Sequence, residues 1–456
     1  MPNIDHDTAL EAQIDQWRDY LSRRQAIHPV DVAELEDHMR EQIGGLIAAG
    51  LDTDEAFLVA VKRMGDLDTL SREFAREHSE RLWKQLVVMG PDDKGSKSAV
   101  LTDALVAFSL AVAAAVFIKL PALLGISMDS EFGFYARNLS LFVLPLLTGY
   151  FVWKRRLSSS TVRWLAGAFV VAAVVVNAFP FASEGSTLVL AALHLPIALW
   201  LVVGVAYAGG RWREVDGRMD FIRFSGELFI YYVLIALGGG LLMGFTAMIF
   251  QAIGVGVDTL LGSWVLPCGA AGAVLVASWL VEAKQSVIEN MAPVLTRLFT
   301  PLFTVALLMF LGTVLWTGRG VNVDREVLIA FDLLLAVVLG LLLYSVSARD
   351  RLAPPGFFDV LQVVLVVSAL AANGIALWAI AARISEFGFS PNRVAALGEN
   401  VILLVNLAWS GVLYVRFLMR RGTFAAIEKW QTDYVPVYAV WAAIVVVAFP
   451  PLFGFI

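Results

Sequence analysis

Apolar runs long enough to cross a lipid bilayer recur along this chain from Leu101 to its last residues. A membrane-spanning helix needs roughly 17–25 mostly apolar residues, because the bilayer interior holds no water to hydrogen-bond an exposed backbone. Eleven such runs occur, separated by short polar segments: 101–118, 138–153, 163–182, 187–208, 225–250, 263–281, 298–317, 327–347, 358–382, 394–417 and 435–455. The sequence therefore predicts an all-α protein whose residues 101–456 form a polytopic bundle of about 11 spans.

Basic residues in the polar segments predict the orientation of this bundle. Lys and Arg are enriched on the cytoplasmic side of membrane proteins. If the residues before the first run are inside, sixteen Lys and Arg fall on the cytoplasmic side and six on the other. We therefore expect a multi-pass membrane protein with a cytoplasmic N-terminus and an extracytoplasmic C-terminus.

Two of the inner segments carry apolar residues at helical spacing. They are 211–224, with Trp212, Val215, Met219 and Ile222, and 424–431, with Phe424, Ile427 and Trp430. This pattern is typical of amphipathic helices that lie on a membrane surface. The sequence predicts such a surface helix in each segment.

The first 98 residues have a different composition from the rest. They hold 20 acidic and 12 basic residues in a chain that is 59% hydrophobic overall. Capping signals and apolar spacing predict an acidic domain of four helices at 1–89, which we call the head, and a linker at 90–100. The head lacks the surplus of positive charge that nucleic-acid binding requires. Its start has no basic or apolar leader, so we expect no signal peptide.

One segment of the head, "VAELEDHMREQIGG" at 32–45, offers two interpretations. Glu34, His38 and Glu41 have i, i+4 and i+7 spacing, which places them on one helix face and could hold a metal. However, that face is opposite the apolar residues, and neither a fourth ligand nor a shield from water is apparent. We therefore predict no metal and a solvated or partner-facing surface formed by Glu34, Glu36, His38 and Glu41. The partner would be a cytoplasmic protein or the chain's own basic loops, bound in a salt-dependent way.

Two parts of the chain resemble known bacterial families. The segments "QWRDYL", "DVAELEDHMREQIGGLIAAGLDTDEAFLVAVKRMGD" and "LSREF" resemble the permease-prefix (HAAS-type) helical domain that precedes bacterial membrane proteins, often permease subunits. The segment "ARISEFGFSPNRVAALGENVILLVNL" resembles part of an uncharacterised family of bacterial multipass proteins. The resemblance implies a bacterial inner-membrane protein and no particular activity. The short outer segments differ from exporter permeases with a large extracytoplasmic domain.

Motifs of catalysis and cofactor binding are missing from the sequence. It contains no G-x-x-x-x-G-K-[ST], no H-E-x-x-H and no G-x-S-x-G. The parts that define P-loop ATP hydrolysis, zincin chemistry and the α/β-hydrolase nucleophile are therefore absent. We predict no catalytic residue and no cofactor.

Five polar residues fall inside the apolar runs, where an ionisable group costs at least a few kcal/mol unless it is paired or hydrated. They are Asn177, His194, Asp332, Asn373 and Glu399. A structural hydrogen bond between helices explains any one of them. However, all five fall in the outer halves of their runs, and in this interpretation the inner halves carry no comparable group. This distribution predicts an outward-facing polar pocket.

The segment "RISEFGFSPNRV" joins two of the same runs on the outer side. Gly388 and Pro391 predict a turn. Arg383 and Arg393 flank this turn, which would place them at the mouth of the pocket, although they could also be interfacial anchors. We include both in the predicted ligand site.

Three classes of function remain open. The first is a signalling or regulatory membrane protein, whose head binds a cytoplasmic partner and whose bundle senses the envelope or a small ligand. The second is a permease-like transporter subunit for a small or amphiphilic solute, which inverted repeats or broken helices would favour. The third, an intramembrane enzyme, would need a nucleophile or a metal cluster that the sequence does not supply. The bilayer is a partner in each case, and the oligomeric state is open.

Overall fold

A computed structural model describes residues 10–15, 17–18, 29–64, 93–128, 130–283, 291–317 and 325–456, without the side chains of 29–35, 38, 62–64, 93–100, 291–294 and 325–327. Every regular element in these ranges is a helix. The chain divides into two compact units, Met1–Ala99 and Val100–Ile456. The predicted all-α class is confirmed for the described residues.

The first unit contains the head. Its described helices are α1 (Pro29–Ala48) and α2 (Thr53–Met64), preceded by helical residues at 10–15 and 17–18. Their apolar faces form one buried core: Leu10, Ile14, Trp17, Met39, Ile43, Leu46, Ala56, Phe57, Ala60 and Val61. The residues repeat every three or four positions, which is the spacing of one helix face. The fourth predicted helix lies outside the described residues, so the four-helix count stays a prediction.

The second unit consists of long helices joined by short loops. In chain order they are α3 (Asp93–Leu123), α4 (Phe132–Arg155), α5 (Ser159–Ala178), α6 (Ser186–Tyr207), α7 (Val215–Ala252), α8 (Asp258–Ala283, with a π-helical turn at Leu261–Val265), α9 (Met291–Thr317), α10 (Arg325–Ala348), α11 (Phe357–Phe387), α12 (Pro391–Leu418), α13 (Phe424–Val447) and the single turn α14 (Phe449–Leu452).

Nine helices of the described residues are long and apolar enough to cross a membrane. They are α3 and α5 to α12. Helices α4 and α13 occupy the second and eleventh predicted runs and have 24 residues each, yet they fall outside the nine. A multi-pass, all-α protein is therefore supported, and the count of eleven stays a prediction.

The two predicted surface helices are corrected by the structure. Segment 211–224 mostly belongs to α7, a continuous helix of 38 residues, and segment 424–431 forms the first turns of α13. Phe424 and Ile427 are buried among other helices, as are Met219 and Ile222. The apolar spacing was correctly recognised as helical, but these faces pack against protein rather than lie on a membrane surface.

Two apolar cores hold the second unit together. The first core contains residues from every helix from α3 through α8, together with Val446 of α13. The second contains residues from α7 and from every helix from α9 through α13. Helix α7 contributes to both, because Phe221 and Phe224 face the first core while Met219 and Ile222 face the second. Residues three positions apart share a helix face, whereas residues one or two positions apart point to different sides. The first turns of α7 therefore lie between the two groups of helices.

The second half of α7 has no such partners. No residue between Phe229 and Leu266 is buried. Several large apolar side chains in this stretch, such as Leu241, Phe245 and Met248, are exposed by more than half. An added Cβ would meet nothing at Gly240 or Gly244. Within one chain this stretch of α7 is largely uncovered, whereas the start of α8 contacts α3 through Lys119, which donates to Ser263 O and lies over the ring of Trp264.

Backbone and side-chain contacts define two ends of the bundle. At one end, Ala182 N donates to Phe455 O at 3.0 Å and Thr187 N donates to Ile456 O at 2.7 Å; we call it the Ile456 end. At the other end, which we call the basic end, Arg155 donates to Tyr207 O and Arg223 to Ser347 O. The ends of α4, α6 and α10 therefore meet at the basic end.

The turn that joins α11 to α12 at the Ile456 end was predicted and is confirmed. Gly388, with φ of +75°, ends α11, and Pro391 opens α12. Glycine adopts this left-handed backbone without steric cost, and proline suits the first helical turn because it needs no N–H there. Ser390 caps α12 by accepting a hydrogen bond from Arg393 N. This geometry fixes the start of α12, which carries Glu399 and Asn400 of the candidate site.

Candidate functional site

The first part of the candidate site is an acid–imidazole pair between α6 and α12. His194 is 5% exposed, and its Nε2 lies 2.6 Å from Glu399 Oε1. Its Nδ1 lies 2.8 Å from the carbonyl oxygen of Leu190, one turn earlier on α6. A hydrogen-bonded carbonyl fixes which ring nitrogen carries the proton of a neutral histidine. The side chain of Glu399 keeps 34% of its surface exposed, so the pair is open on the carboxylate side.

The second part joins α10, α11 and α12. Asn400 Nδ2 donates to Asp332 Oδ1 at 2.7 Å and to Ala396 O at 2.8 Å. Asn373 Nδ2 donates to the backbone oxygen of Asn400 at 3.1 Å. Asn373 and Asn400 have no exposed surface, and the side-chain oxygens of both lack a hydrogen bond. These two oxygens remain as acceptors for a cation or a small hydrogen-bond donor.

The two parts meet because Glu399 and Asn400 are neighbours on α12. We call the five residues His194, Asp332, Asn373, Glu399 and Asn400 the α12 polar cluster. It links four helices through one turn of α12 and contains three ionisable groups. The half-exposed carboxylate can bind a proton, and together with the buried amide oxygens it can bind a cation, since hard cations take carboxylate and amide oxygens as ligands.

Close packing holds this turn of α12 against α13. A Cβ built on Gly398 would lie 2.0 Å from the ring of Trp441, so only glycine fits there without a shift of the indole. The indole nitrogen of Trp441 is buried and has no hydrogen-bond partner. The glycine therefore lets α13 approach α12 beside Glu399 and fixes the position of the carboxylate.

The other predicted site residues lie elsewhere. Asn177 on α5 pairs with Asn138 on α4, through two amide hydrogen bonds of 2.9 and 2.8 Å. Arg393 donates to Phe387 O and Gly388 O, so it satisfies carbonyls at the end of α11. Arg383 is half-buried near the end of α11. The structure therefore groups four of the predicted residues and assigns structural contacts to Asn177 and Arg393. The four are His194, Asp332, Asn373 and Glu399.

A buried amide set further along α12 was missed in the sequence. Asn406 Nδ2 donates to Gln431 Oε1 at 3.1 Å, and Gln431 Nε2 donates to Ser410 Oγ at 2.6 Å. None of the three has any exposed surface. The signal was present, because Asn406 and Ser410 are four positions apart and therefore lie on nearly the same face of one helix. Gln431 was overlooked because its segment was assigned to the membrane surface.

The interpretation that the inner halves of these runs carry no comparable group is therefore wrong. Asn406 and Ser410 lie in the inner half of the run at 394–417. On α11, Gln362 is 1% exposed and donates to Ser345 Oγ at 2.8 Å. Amides and hydroxyls bridge these helices along their whole length, as interhelical hydrogen bonds do in membranes. Buried polar residues alone do not distinguish the half of the bundle near the Ile456 end from the other half. The half-exposed acid–imidazole pair does.

The basic end contains buried ion pairs. Arg349 binds Asp359 through two hydrogen bonds of 2.8 and 2.9 Å, and its guanidinium lies over the rings of Phe417 and Phe424. Arg351 bonds Glu428 and also Asp216. Hydrogen bonds from Arg351 to these two carboxylates raise the pKa of the guanidinium. The pairs tie the α10–α11 loop to α7 and α13.

A second ion-pair group lies where α4, α6 and α8 end. The side chain of Glu282 is 2% exposed and forms ion pairs with Lys154 at 3.3 Å and Arg155 at 2.9 Å. Two adjoining cavities of about 390 and 300 Å³ open at this end and share Asp220 and Arg223. Their walls carry arginines and carboxylates in similar number, so charge alone favours neither an anion nor a cation.

The predicted docking face of the head is described only in part. Glu36 is 13% exposed and accepts Arg40 at 3.0 Å and Arg18 at 3.5 Å, so it is paired inside the head. Arg40 also donates to Glu11. The side chains of Glu34 and His38 lie outside the described residues, and Glu41 is exposed. Whether the four residues bind a partner stays a prediction.

Among the side chains that the structure describes, no three His, Cys, Asp or Glu residues group as metal ligands. Comparison with known proteins found no matching family model, no matching curated protein and no matching solved structure. A proposal for the function therefore rests on the geometry of the α12 polar cluster.

Proposed function

We propose that this chain is a signalling or regulatory protein of a bacterial inner membrane, which senses protons or small cations at the α12 polar cluster. The observation that most supports this proposal is the contact of Glu399 with His194. The next residue, Asn400, donates a hydrogen bond to Asp332. Protonation or cation binding changes the charge of the half-exposed carboxylate, which alters the strength of its hydrogen bond to His194 on α6. Because Asn400 follows directly on the same helix, the change also reaches α10 and α11.

Helix α12 is suited to pass this change toward the basic end. Its buried amide set bonds to α13, whose first turns also hold Glu428 and thus Arg351. Rigid helices with two alternative arrangements are the physical carriers of coupling between distant sites. In this proposal, a shift of α12 moves α13 and the ion pairs of the α10–α11 loop.

The same buried amide set favours signalling over transport. Asn406, Ser410 and Gln431 bond to one another and expose nothing, so the stretch between the two ends is filled by packed side chains. A permease-like subunit would need this stretch to open. Transport of a small or amphiphilic solute is therefore the second candidate.

The remaining parts of the proposal concern topology and the head. We propose eleven spans, with α4 and α13 included, the basic end in the cytoplasm and the Ile456 end outside. This orientation rests on the sixteen basic residues of the inner segments. The head, with its resemblance to permease-prefix domains, would bind a cytoplasmic partner or the basic loops. Labelling of a cysteine at position 456 from outside intact cells tests the orientation, and labelling only from the cytoplasmic side would overturn it.

A fluorescence experiment tests the sensing function. Cys268 is replaced by Ala, and a cysteine at Leu352, which is 94% exposed in the α10–α11 loop, carries an environment-sensitive dye. In proteoliposomes, a change of outer pH between about 5 and 8 should alter the emission. Glu399→Gln should abolish the response.

The matched control is the double variant Asn138→Leu, Asn177→Leu, which removes an interhelical amide pair away from α12. It should keep the pH response. A wild-type emission that ignores outer pH, or a response that survives Glu399→Gln, would overturn the proposal. Protein-dependent proton flux that Asp332→Asn abolishes would favour the permease-like alternative.

A further inference from the structure

Helices α5, α6 and α13 enclose a groove of about 770 Å³ on the side of the bundle, separate from the α12 polar cluster. Its volume falls in the range of roughly 300–1,000 Å³ that is usual for small-molecule sites. The groove exists because α5 and its neighbours carry small residues along it. They are Gly167, Ala168, Ala172, Ala198, Ala439 and Ala443.

The groove is long and almost entirely apolar. Along α5 it runs from Ser160 to Val175, which at 1.5 Å per residue is roughly 22 Å. Half of the bilayer hydrocarbon is only about 15 Å thick, so the groove extends deeper than one lipid leaflet. A Cβ added to Gly167 would meet nothing, so space remains in the groove. These dimensions suit one extended acyl chain.

The polar residues of the groove all lie at the basic end. Ser160, Arg163 and Trp164 line that end, whereas the remaining walls are Ala, Val, Leu and Gly. Arg163 is exposed and makes no hydrogen bond or ion pair to any residue that the structure describes. Trp164 is 82% exposed, as indoles at the lipid–water boundary are. An unpaired guanidinium above an apolar channel complements an anionic headgroup above an acyl chain.

The geometry points to a specific binding site for an anionic glycerophospholipid, with its phosphate at Arg163 and one acyl chain between α5, α6 and α13. The site does not depend on the proposed sensing function. It also does not depend on which end of the bundle faces the cytoplasm, because Arg163 lies at the basic end in either orientation.

Native mass spectrometry of the full chain, freed of its own lipid and titrated with dioleoyl lipids, tests the headgroup. Phosphatidylglycerol should be retained about fivefold more than phosphatidylcholine, since one basic residue contributes about 1 kcal/mol toward an anionic lipid. Arg163→Gln should remove this preference. Arg213→Gln, which alters another exposed arginine outside the groove, should keep it. Equal retention of the two lipids by the wild-type protein would overturn the proposal.

The groove itself is tested by filling it. Gly167→Phe should reduce retention of phosphatidylglycerol at least fivefold, whereas Gly374→Phe, at an open glycine on α11 outside the groove, should not. A phosphatidylglycerol with a photoreactive group on its acyl chain should label residues 167–175 and 439–447. Equal labelling of the exposed half of α7 would show ordinary surface lipid and overturn the site.

Discussion

In the head, Arg40 holds Glu11 and Glu36 while water reaches all three side chains, whereas in the bundle Asn406, Ser410 and Gln431 bond to one another with no exposed surface. These contacts of the head are ion pairs, whereas the contacts among Asn406, Ser410 and Gln431 involve only neutral groups. An exposed ion pair is commonly worth under about 1 kcal/mol, because water solvates the separated charges well. A buried amide that loses its partner costs about 1–3 kcal/mol, because nothing replaces the bond.

This difference teaches that charge is a poor guide to the importance of a polar contact here. Burial decides the cost of breaking it. Two further contacts complete the comparison: Asp359 is a charged group that is buried, and Glu399 is a charged group that is half exposed. Substitutions at four positions therefore rank the contacts.

The largest loss of stability is expected for Asp359→Asn. Asp359 is 4% exposed and binds Arg349 through both carboxylate oxygens. The change leaves a partly buried guanidinium without its counter-charge, which lowers the free energy of unfolding by about 3 kcal/mol. Denaturation in mixed micelles measures it. Asp258→Asn, at an exposed position, is the control and should change stability by under about 0.5 kcal/mol. Equal effects at both positions would contradict the ranking by burial.

A smaller loss is expected for Asn406→Leu. Leucine has a similar size but cannot donate to Gln431 Oε1, so a buried acceptor loses its hydrogen bond. The free energy of unfolding should fall by about 2 kcal/mol. Gln251→Leu, at an exposed position on α7, should be close to neutral in the same assay. A neutral Asn406→Leu would mean that the buried amide set adds nothing to stability.

Glu399→Gln should separate stability from function. The glutamine can still hydrogen-bond His194 Nε2, and the site is 34% exposed, so we expect a change of under about 1 kcal/mol. The pH response of the dye at position 352 should nevertheless disappear. Loss of folded protein from the same variant would show that the carboxylate is structural, and that the sensing proposal lacks its central residue.

The smallest effect is expected for Glu11→Gln in the head. The hydrogen bond from Arg40 lowers the pKa of Glu11 below its ordinary value of 4.5. A lowered pKa in the folded state adds stability above the ordinary pKa, and this stability is lost as the pH falls through the folded pKa. Because the site is exposed, the loss should be under about 0.5 kcal/mol. Unfolding of wild type and variant at pH of about 7 and 3 measures it, and an equal difference at both would contradict the account.

The sequence predicted the helices of the bundle well, because apolar length and short polar breaks follow directly from the needs of a backbone in lipid. It also predicted the turn at Gly388 and Pro391, where proline and glycine restrict the backbone. It predicted His194, Asp332 and Glu399 as site residues, but their pairing depends on which helices meet. That information lies in close approaches such as Gly398 against Trp441, which sequence spacing does not reveal.

The misassigned segments have one physical cause. A helical spacing of apolar residues shows that one face is buried, but it does not show what covers that face. For Phe424 and Ile427 the cover is protein rather than lipid headgroups. Once the start of α13 was assigned to the membrane surface, Gln431 could not be recognised as the partner of Asn406.

The bare second half of α7 has a consequence for biogenesis. A segment that touches so little of its own chain must be held in the bilayer by its own hydrophobicity, so we expect the translocon to insert it without help from later helices. Helix α12 carries Glu399, Asn400 and Asn406 in its run, and each lowers the tendency to leave the translocon for lipid. We therefore expect α7 to be released early during synthesis, and α12 to be retained until α13 has emerged from the ribosome.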